Sequence, residues 1–373
     1  MNKRTFFLLC LEGALLSFNV AASAALVPSI AAEFGVSQFI AGRIIWLYML
    51  PYGLAALFYG PLIRAIDAKK VELVCLILFS LANLLVGVSN SIGMLFAGRL
   101  LMGVFGASVI PLGIILIGRH ITPLRRGRAV GIFFGGTFSA SLAGLVLSGI
   151  IPWRLIYIAP AIAGFILVIF LWIYLPSFQQ DVTRFSCNYR KVFANANVAR
   201  VFLYIFLISI FYHGVQQWLA VYFSKKFGFS QFVISMLVMA TSLSGIFGEV
   251  IGGFCADTLG RIKTANIGSL IMILTVAAVL MKLPLAVIGI VMLAWGFGWT
   301  LNHAGISTIL TDLPHDHLHE SASLNSSLRF IAGGIGAAWG GYLMQFDIHL
   351  GFIVFGVCVA GLLVCTKPLL KKA

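Results

Sequence analysis

The chain has 373 residues, 61% hydrophobic and 10% charged, with a mean hydropathy of +1.05. A water-soluble domain of this length needs far more charge to cover its surface, so lipid is the solvent and the long apolar runs must become helices that satisfy their own backbone. The formal charge of +14 would suggest nucleic acid for a soluble protein, but the lysines and arginines sit in short loops, and no polar segment is long enough for a basic, aromatic-interleaved surface.

Twelve apolar segments follow one another, at about 5–31, 38–62, 71–89, 91–118, 128–151, 154–175, 199–222, 230–255, 264–281, 283–310, 321–345 and 348–366. The first opens with Met1-Asn2-Lys3-Arg4 and reaches Ala22-Ser23-Ala24, which resembles a signal peptide. Its length, the Glu12 inside it and the spans behind it read as an uncleaved first helix. The longest polar stretch carries Asp181, Arg184, Arg190 and Lys191. The expected organisation is an N-terminal six-helix bundle over 1–175, a cytoplasmic linker over 176–198, and a C-terminal six-helix bundle with a short tail over 199–373. Lysines and arginines number eighteen on one side of the spans and five on the other, with Arg99 and Arg329 inside spans. That bias places both termini and the linker in the cytoplasm of a multi-pass cell (inner) membrane protein. The six cysteines show no CxxC spacing and read as small apolar residues.

The two halves repeat. Phe34-Gly35-Val36-Ser37-Gln38-Phe39-Ile40 recurs 193 residues later as Phe227-Gly228-Phe229-Ser230-Gln231-Phe232-Val233, Gly60 recurs at Gly253, and Phe105-Gly106 recurs as Phe297-Gly298. The expected fold is therefore an all-α membrane protein with twelve transmembrane helices in two pseudo-symmetric six-helix bundles of the same orientation. In secondary transporters built from parallel repeats the substrate site lies between the repeats near the midplane.

The stretch Gly253-Phe254-Cys255-Ala256-Asp257-Thr258-Leu259-Gly260-Arg261-Ile262-Lys263 resembles the G-x-x-x-D-x-x-G-R-x-K loop of the major facilitator superfamily. The first-half counterpart, Gly60 to Lys70, is degenerate, with Arg64 where the family has aspartate. Arg99-Leu100-Leu101-Met102-Gly103-Val104-Phe105-Gly106 resembles the family's intramembrane arginine–glycine motif, and Trp153-Arg154 its usual start of span 6. The drug–proton antiporter branch is the nearest likeness. Its G-P-x-x-G-G signature in span 5 is reduced here to Ala140-Ser141-Leu142-Ala143-Gly144-Leu145. The resemblance implies a major facilitator fold and transport by alternating access.

A charge in the bilayer core costs at least about 2.5 kcal/mol on insertion scales, so buried ionisable residues need a reason. Glu12, Arg99, Glu249 and Arg329 are the four, and they are the expected proton-coupling residues. Glu249 and Arg329 sit at matching depth and are expected as partners. Burial favours a neutral carboxyl and a nearby arginine an ionised one, so a movable partner can switch the site. Polar and aromatic stripes at helical spacing mark expected walls of a substrate cavity: Asn19 in span 1, Tyr48 and Tyr52 in span 2, His213, Gln216 and Gln217 in span 7, and Trp295, Trp299, Asn302 and His303 in span 10. At the cytoplasmic face the loop charges are complementary: Arg64 is expected to face Asp316 or Glu320, and Asp257, in the motif loop that also holds Arg261, to face Arg128 or Arg125. These residues are the expected cytoplasmic gate. The tract His315 to Glu320 alternates in a way that splays its side chains, so no metal is expected, and the lack of a GxxxxGK[ST] loop argues against ATP.

The expected function is proton-coupled export of a small organic solute such as a drug-like compound, metabolite or siderophore, with no cofactor. Import or facilitated uptake on the same fold is the alternative, and a membrane enzyme or scaffold is the more distant one. The expected partners are the small molecule, protons and the lipid bilayer, with no nucleic acid and a functional monomer.

Overall fold

The computed structural model describes residues 3–177, 189–311 and 318–370. These residues divide between two compact units, Met1–Cys187 and Asn188–Ala373. The first unit contains α1 (Lys3–Ala25), α2 (Val27–Phe34), α3 (Gln38–Ala41), α4 (Arg43–Ala65), α5 (Ala68–Gly87), α6 (Ile92–Gly106), α7 (Val109–His120), α8 (Pro123–Ser148) and α9 (Trp153–Tyr174). The second contains α10 (Tyr189–Ala194), α11 (Ala196–Gln216), α12 (Leu219–Phe227), α13 (Gln231–Thr258), α14 (Arg261–Val279), α15 (Leu285–Thr311), α16 (Leu318–Phe346) and α17 (Leu350–Leu370).

Several expected spans are split because their helices bend. Pro28 and Pro111 lack the N–H that would bond the carbonyl four residues earlier, and the chain breaks at Leu26 and at Ala107-Ser108. Among the described residues, eleven spans are long and apolar enough to cross a membrane. The sixth place in the second unit belongs to α16, 29 residues long, which carries Arg329 and five glycines and is not one of those eleven. The usual soluble arrangement is inverted. Trp172, Val250 and Val364 point outward, at 67%, 74% and 80% exposure, while Glu12, Asn19 and Arg99 are buried.

The repeat seen in the sequence is carried into three dimensions. Lys3 and Ala196, Gln38 and Gln231, Ala68 and Arg261, and Ile92 and Leu285 each begin a helix 193 residues apart. Gly35 caps α2 at φ 63°, ψ 28°, and Gly228 caps α12 at φ 64°, ψ 27°. This left-handed turn favours glycine. Ser37 then accepts from the Ile40 N–H and Ser230 from the Val233 N–H, so each following helix starts with the same N-cap. Packing partners repeat as well. α1 packs on α8 and α9 as α11 packs on α16 and α17, α4 on α6 as α13 on α15, and α5 on α6 and α9 as α14 on α15 and α17.

Candidate functional site

In the second unit, one turn of α11 and two turns of α15 build an aromatic surface edged with hydrogen-bonding groups. The Tyr212 ring stacks on Trp299, 3.9 Å between centroids and 8° from parallel, and on Trp295 at 5.2 Å and 15°. The Trp295 indole donates to Gln216 Oε1 at 2.6 Å, and Gln216 Nε2 donates to Thr241 Oγ1 at 3.1 Å. These bonds fix the Gln216 amide between two helices. Gln217 Nε2 lies 3.3 Å from His213 Nδ1, and the His213 ring meets Trp299 edge to face at 5.8 Å.

Charge borders this surface. His303 Nδ1 and Glu249 Oε1 lie 2.6 Å apart, an ion pair when the imidazole is protonated. Arg329 donates from Nε to Asn325 Oδ1 at 2.9 Å and holds its guanidinium carbon 5.9 Å from the Trp299 ring centre. Its Nη2 is buried without a hydrogen-bond partner among the described residues. Arg329 also acts electrostatically on His213, His303 and Glu249. The close contact of Glu249 is thus His303, with Arg329 at longer range. Asn302, on the same helix, turns away. Its amide donates to Tyr204 Oη, the Ala265 carbonyl and Ser269 Oγ at 2.8, 3.0 and 3.0 Å, tying α15 to α11 and α14. Tyr212 was not among the expected cavity residues. It lies three residues after Ser209 and four before Gln216, on the same stripe, so the spacing alone pointed to it.

The first unit holds a different chemistry. Glu12 of α1 and Glu72 of α5 are buried and meet carboxyl to carboxyl within hydrogen-bonding reach. Two turns beyond Glu12 on α1 and three turns beyond Glu72 on α5, Asn19 Nδ2 donates to Asn83 Oδ1 at 2.5 Å, and Ser23 Oγ shares a 2.8 Å bond with Tyr157 Oη. Arg99 pairs with no acid among the described residues. Its Nε donates to the Ile44 carbonyl at 3.0 Å, and the guanidinium carbon lies 4.5 Å from the Tyr48 ring centre and 5.9 Å from that of Tyr157. Tyr48 and Tyr52 are buried with ring centres 5.6 Å apart.

Of the expected gate, Arg128 is exposed near the start of α8, Asp257 is exposed in the last turn of α13, and Arg261 begins α14. Asp316 lies outside the described residues, as do the side chains of Arg64 and Glu320, residues 178–188 of the linker and 315–317 of the histidine tract.

Known proteins resemble this chain over nearly its whole length. Proteins named purine ribonucleoside efflux pump NepI, from Shigella sonnei and Escherichia coli, are each 23% identical over 359 residues, covering 93% of this chain and 90% of theirs. The solved nucleoside transporter NupG superposes with a TM-score of 0.78 at 14% identity, over 98% of this chain and all of that one. A bacterial homologue of the lysosomal transporter Spinster, inward-facing and unoccupied, superposes at 0.75 with 15% identity, over 100% of this chain and 96% of that one. The family and these relatives are transporters. With residues 9–340 matched to the Major Facilitator Superfamily, the chain belongs to that family of secondary transporters and is a multi-pass membrane protein.

Proposed function

We propose that this chain exports a purine ribonucleoside, or a solute of closely similar chemistry, in exchange for protons. The observation that carries the substrate class is the stack of Tyr212 on Trp295 and Trp299 beside the fixed Gln216 amide. Aromatic faces take up a planar heteroaromatic ring, and amides and hydroxyls match its hydrogen-bonding edge and ribose. The name carried by the relatives, which span most of this chain, supports both substrate and direction. Proton exchange is supported by Glu12 and Glu249, two acids inside spans that a passive carrier of neutral solutes would not need. The excess of basic loops on one side supports a protein of the cell membrane with both termini in the cytoplasm.

Everted membrane vesicles test the reading. Respiration acidifies their lumen, so a proton-coupled exporter draws tritiated inosine inward, and a protonophore abolishes the uptake. Inosine that instead enters right-side-out vesicles down the proton gradient makes the chain an importer. No movement in either preparation rejects the nucleoside.

A further inference from the structure

Glu72 was not among the residues expected to couple protons, yet it is more enclosed than any of them. It is 0% exposed and Glu12 is 1% exposed. Their carboxyl groups lie within hydrogen-bonding reach of each other. No N–H or O–H among the described residues donates to any of their four oxygens. Three other charged side chains of the spans and their ends show the contrast. Glu249 has His303 and Arg329, Glu33 has Trp153 and Arg154, and Arg99 has a carbonyl and two aromatic rings.

Around the pair, the titratable neighbours are Cys75 on α5 and Tyr59 on α4. Tyr59 Oη donates to the Val104 carbonyl at 3.0 Å and accepts from Cys75 Sγ at 3.4 Å, so neither offers a proton to the carboxyls. On α6, Arg99 is turned to α4. On α9, Tyr157 is bonded to Ser23. No lysine or arginine among the described residues forms an ion pair with Glu12 or Glu72. Two ionised carboxylates in this setting would combine desolvation with like-charge repulsion and have no donor to offset either. One proton between them removes the repulsion and supplies the missing donor. Such a pair titrates as a unit.

We propose that Glu12 and Glu72 share a single proton and form the proton-carrying site of the transport cycle. The inference rests on the proton-exchange reading above and deepens it. The proton sits on one carboxyl oxygen and is hydrogen-bonded to the other carboxylate. It leaves to water when α1 and α5 separate enough to hydrate the pair, and a proton is taken up before the helices close again. One shared proton gives one proton exchanged per cycle.

The test uses the purified full-length protein in proteoliposomes, with the membrane potential clamped to zero and tritiated inosine as probe. One pH unit corresponds to a tenfold ratio, so single-proton exchange concentrates inosine at most about tenfold per unit of gradient. Glu12→Gln and Glu72→Gln lose this accumulation but retain inosine exchange at equal pH, which also reports folding. Glu72→Asp keeps a titratable group and accumulates inosine. Wild-type accumulation near a hundredfold per unit, or Glu72→Gln accumulating like wild type, overturns the shared proton carrier. Wild type indifferent to the gradient overturns the proton-exchange reading itself. Infrared difference spectroscopy needs no substrate. The carbonyl stretch of a protonated carboxyl group present in wild type at neutral pH is expected to vanish in the Glu12→Gln/Glu72→Gln double variant. An unchanged band overturns the proposal whatever the transport result.

Discussion

Glu33 and Lys226 stand 193 residues apart, at the same point of the repeat, and secure the same corner with opposite charge. In the first unit Glu33 accepts from the Trp153 indole and from Arg154 Nε, the latter at 2.8 Å, and Arg154 Nη1 donates at 2.9 Å to the Gly87 carbonyl at the end of α5. In the second unit Lys226 Nζ reaches the end of α14 directly, 2.8 Å from the Leu280 carbonyl and 2.5 Å from Tyr222 Oη. Gly87 and Leu280 are again 193 positions apart. Each unit thus places a cation on the carbonyl end of its third span, where the helix dipole favours it. One does so with a lysine on the preceding turn, the other with an arginine steered by a glutamate.

This equivalence predicts unequal mutational costs. Lys226→Ala strips several carbonyls of a charged donor at once and is expected to destabilise the protein by about 1.5 kcal/mol or more. Glu33→Gln keeps an acceptor for the indole and loses only a pair whose side chains are 42% and 31% exposed, so screening holds its cost under about 1 kcal/mol. Thermal unfolding in detergent measures both. Equal losses would contradict the assignment.

Gly144 is the one glycine kept from the span 5 signature. It lies against α1, where an added β-carbon would overlap the Phe18 carbonyl. Gly135, on the same helix, has nothing within 4 Å of that position. Gly144→Val is therefore expected to pry α8 from α1 and destabilise the protein by about 3 kcal/mol, the upper range for overpacking. Gly135→Ala should stay within about 1 kcal/mol of wild type. Yield of monodisperse protein and thermal unfolding separate the two. The glycine here serves helix approach, so its survival says nothing about the direction of transport.

Much of the fold was legible because lipid imposes one rule on every span and because the repeat is written in turn residues. Gly35 and Gly228, with Ser37 and Ser230, fix identical corners. The site was less legible. Glu72 is the second residue of the third expected span, 71–89, beside Lys69-Lys70, where an acid reads as sitting at the span's wet end. Only the three-dimensional path of α5 turns it inward. Its signal was present in the stripe Glu72, Cys75, Phe79 and Asn83, which matches the run Glu12, Asn19 on α1. Asn302 shows the opposite ambiguity. A polar residue on a span can line a cavity or hold helices together, and spacing does not distinguish a free amide from one already occupied by three acceptors.

The aromatic surface of the second unit makes a prediction about shape. Trp299 contacts Tyr212, His213, His303 and Arg329. Trp299→Phe retains a π-face and is expected to raise the inosine concentration needed for half-maximal transport only a few-fold. Trp299→Ala removes about 1–3 kcal/mol of base stacking, which corresponds to a rise of about five- to 150-fold. Gln216→Leu frees the Trp295 N–H and should act similarly. The check is concentration dependence of inosine transport, with thermal unfolding as control. If all three variants transport like wild type, the nucleoside binds elsewhere.

The last prediction concerns Arg99, whose motif fixes two helices together. Gly103, one turn on, lies so close to α4 that a β-carbon would overlap the Tyr48 carbonyl, and Arg99 closes the same contact through the Ile44 carbonyl and the Tyr48 ring. The cation is spread over a planar group, a carbonyl and two π-faces rather than neutralised by an acid. Lysine cannot reproduce this, since its ammonium is compact, strongly hydrated and has no planar face. Arg99→Lys is thus expected to lower stability by about 2 kcal/mol, the value of a desolvated cation–π contact, and to impair transport as severely as Arg99→Gln. Tyr48 provides the counter-test. Its hydroxyl is buried with no hydrogen-bond partner among the described residues, so Tyr48→Phe keeps the ring beneath Arg99 and should be at least as stable as wild type. Tyr48→Leu loses the ring and should match Arg99→Lys. Transport by Tyr48→Phe then decides what the hydroxyl is for. Wild-type rates are expected if Tyr48 serves only the clamp, whereas a stable Tyr48→Phe protein that transports poorly would place that hydroxyl on the substrate.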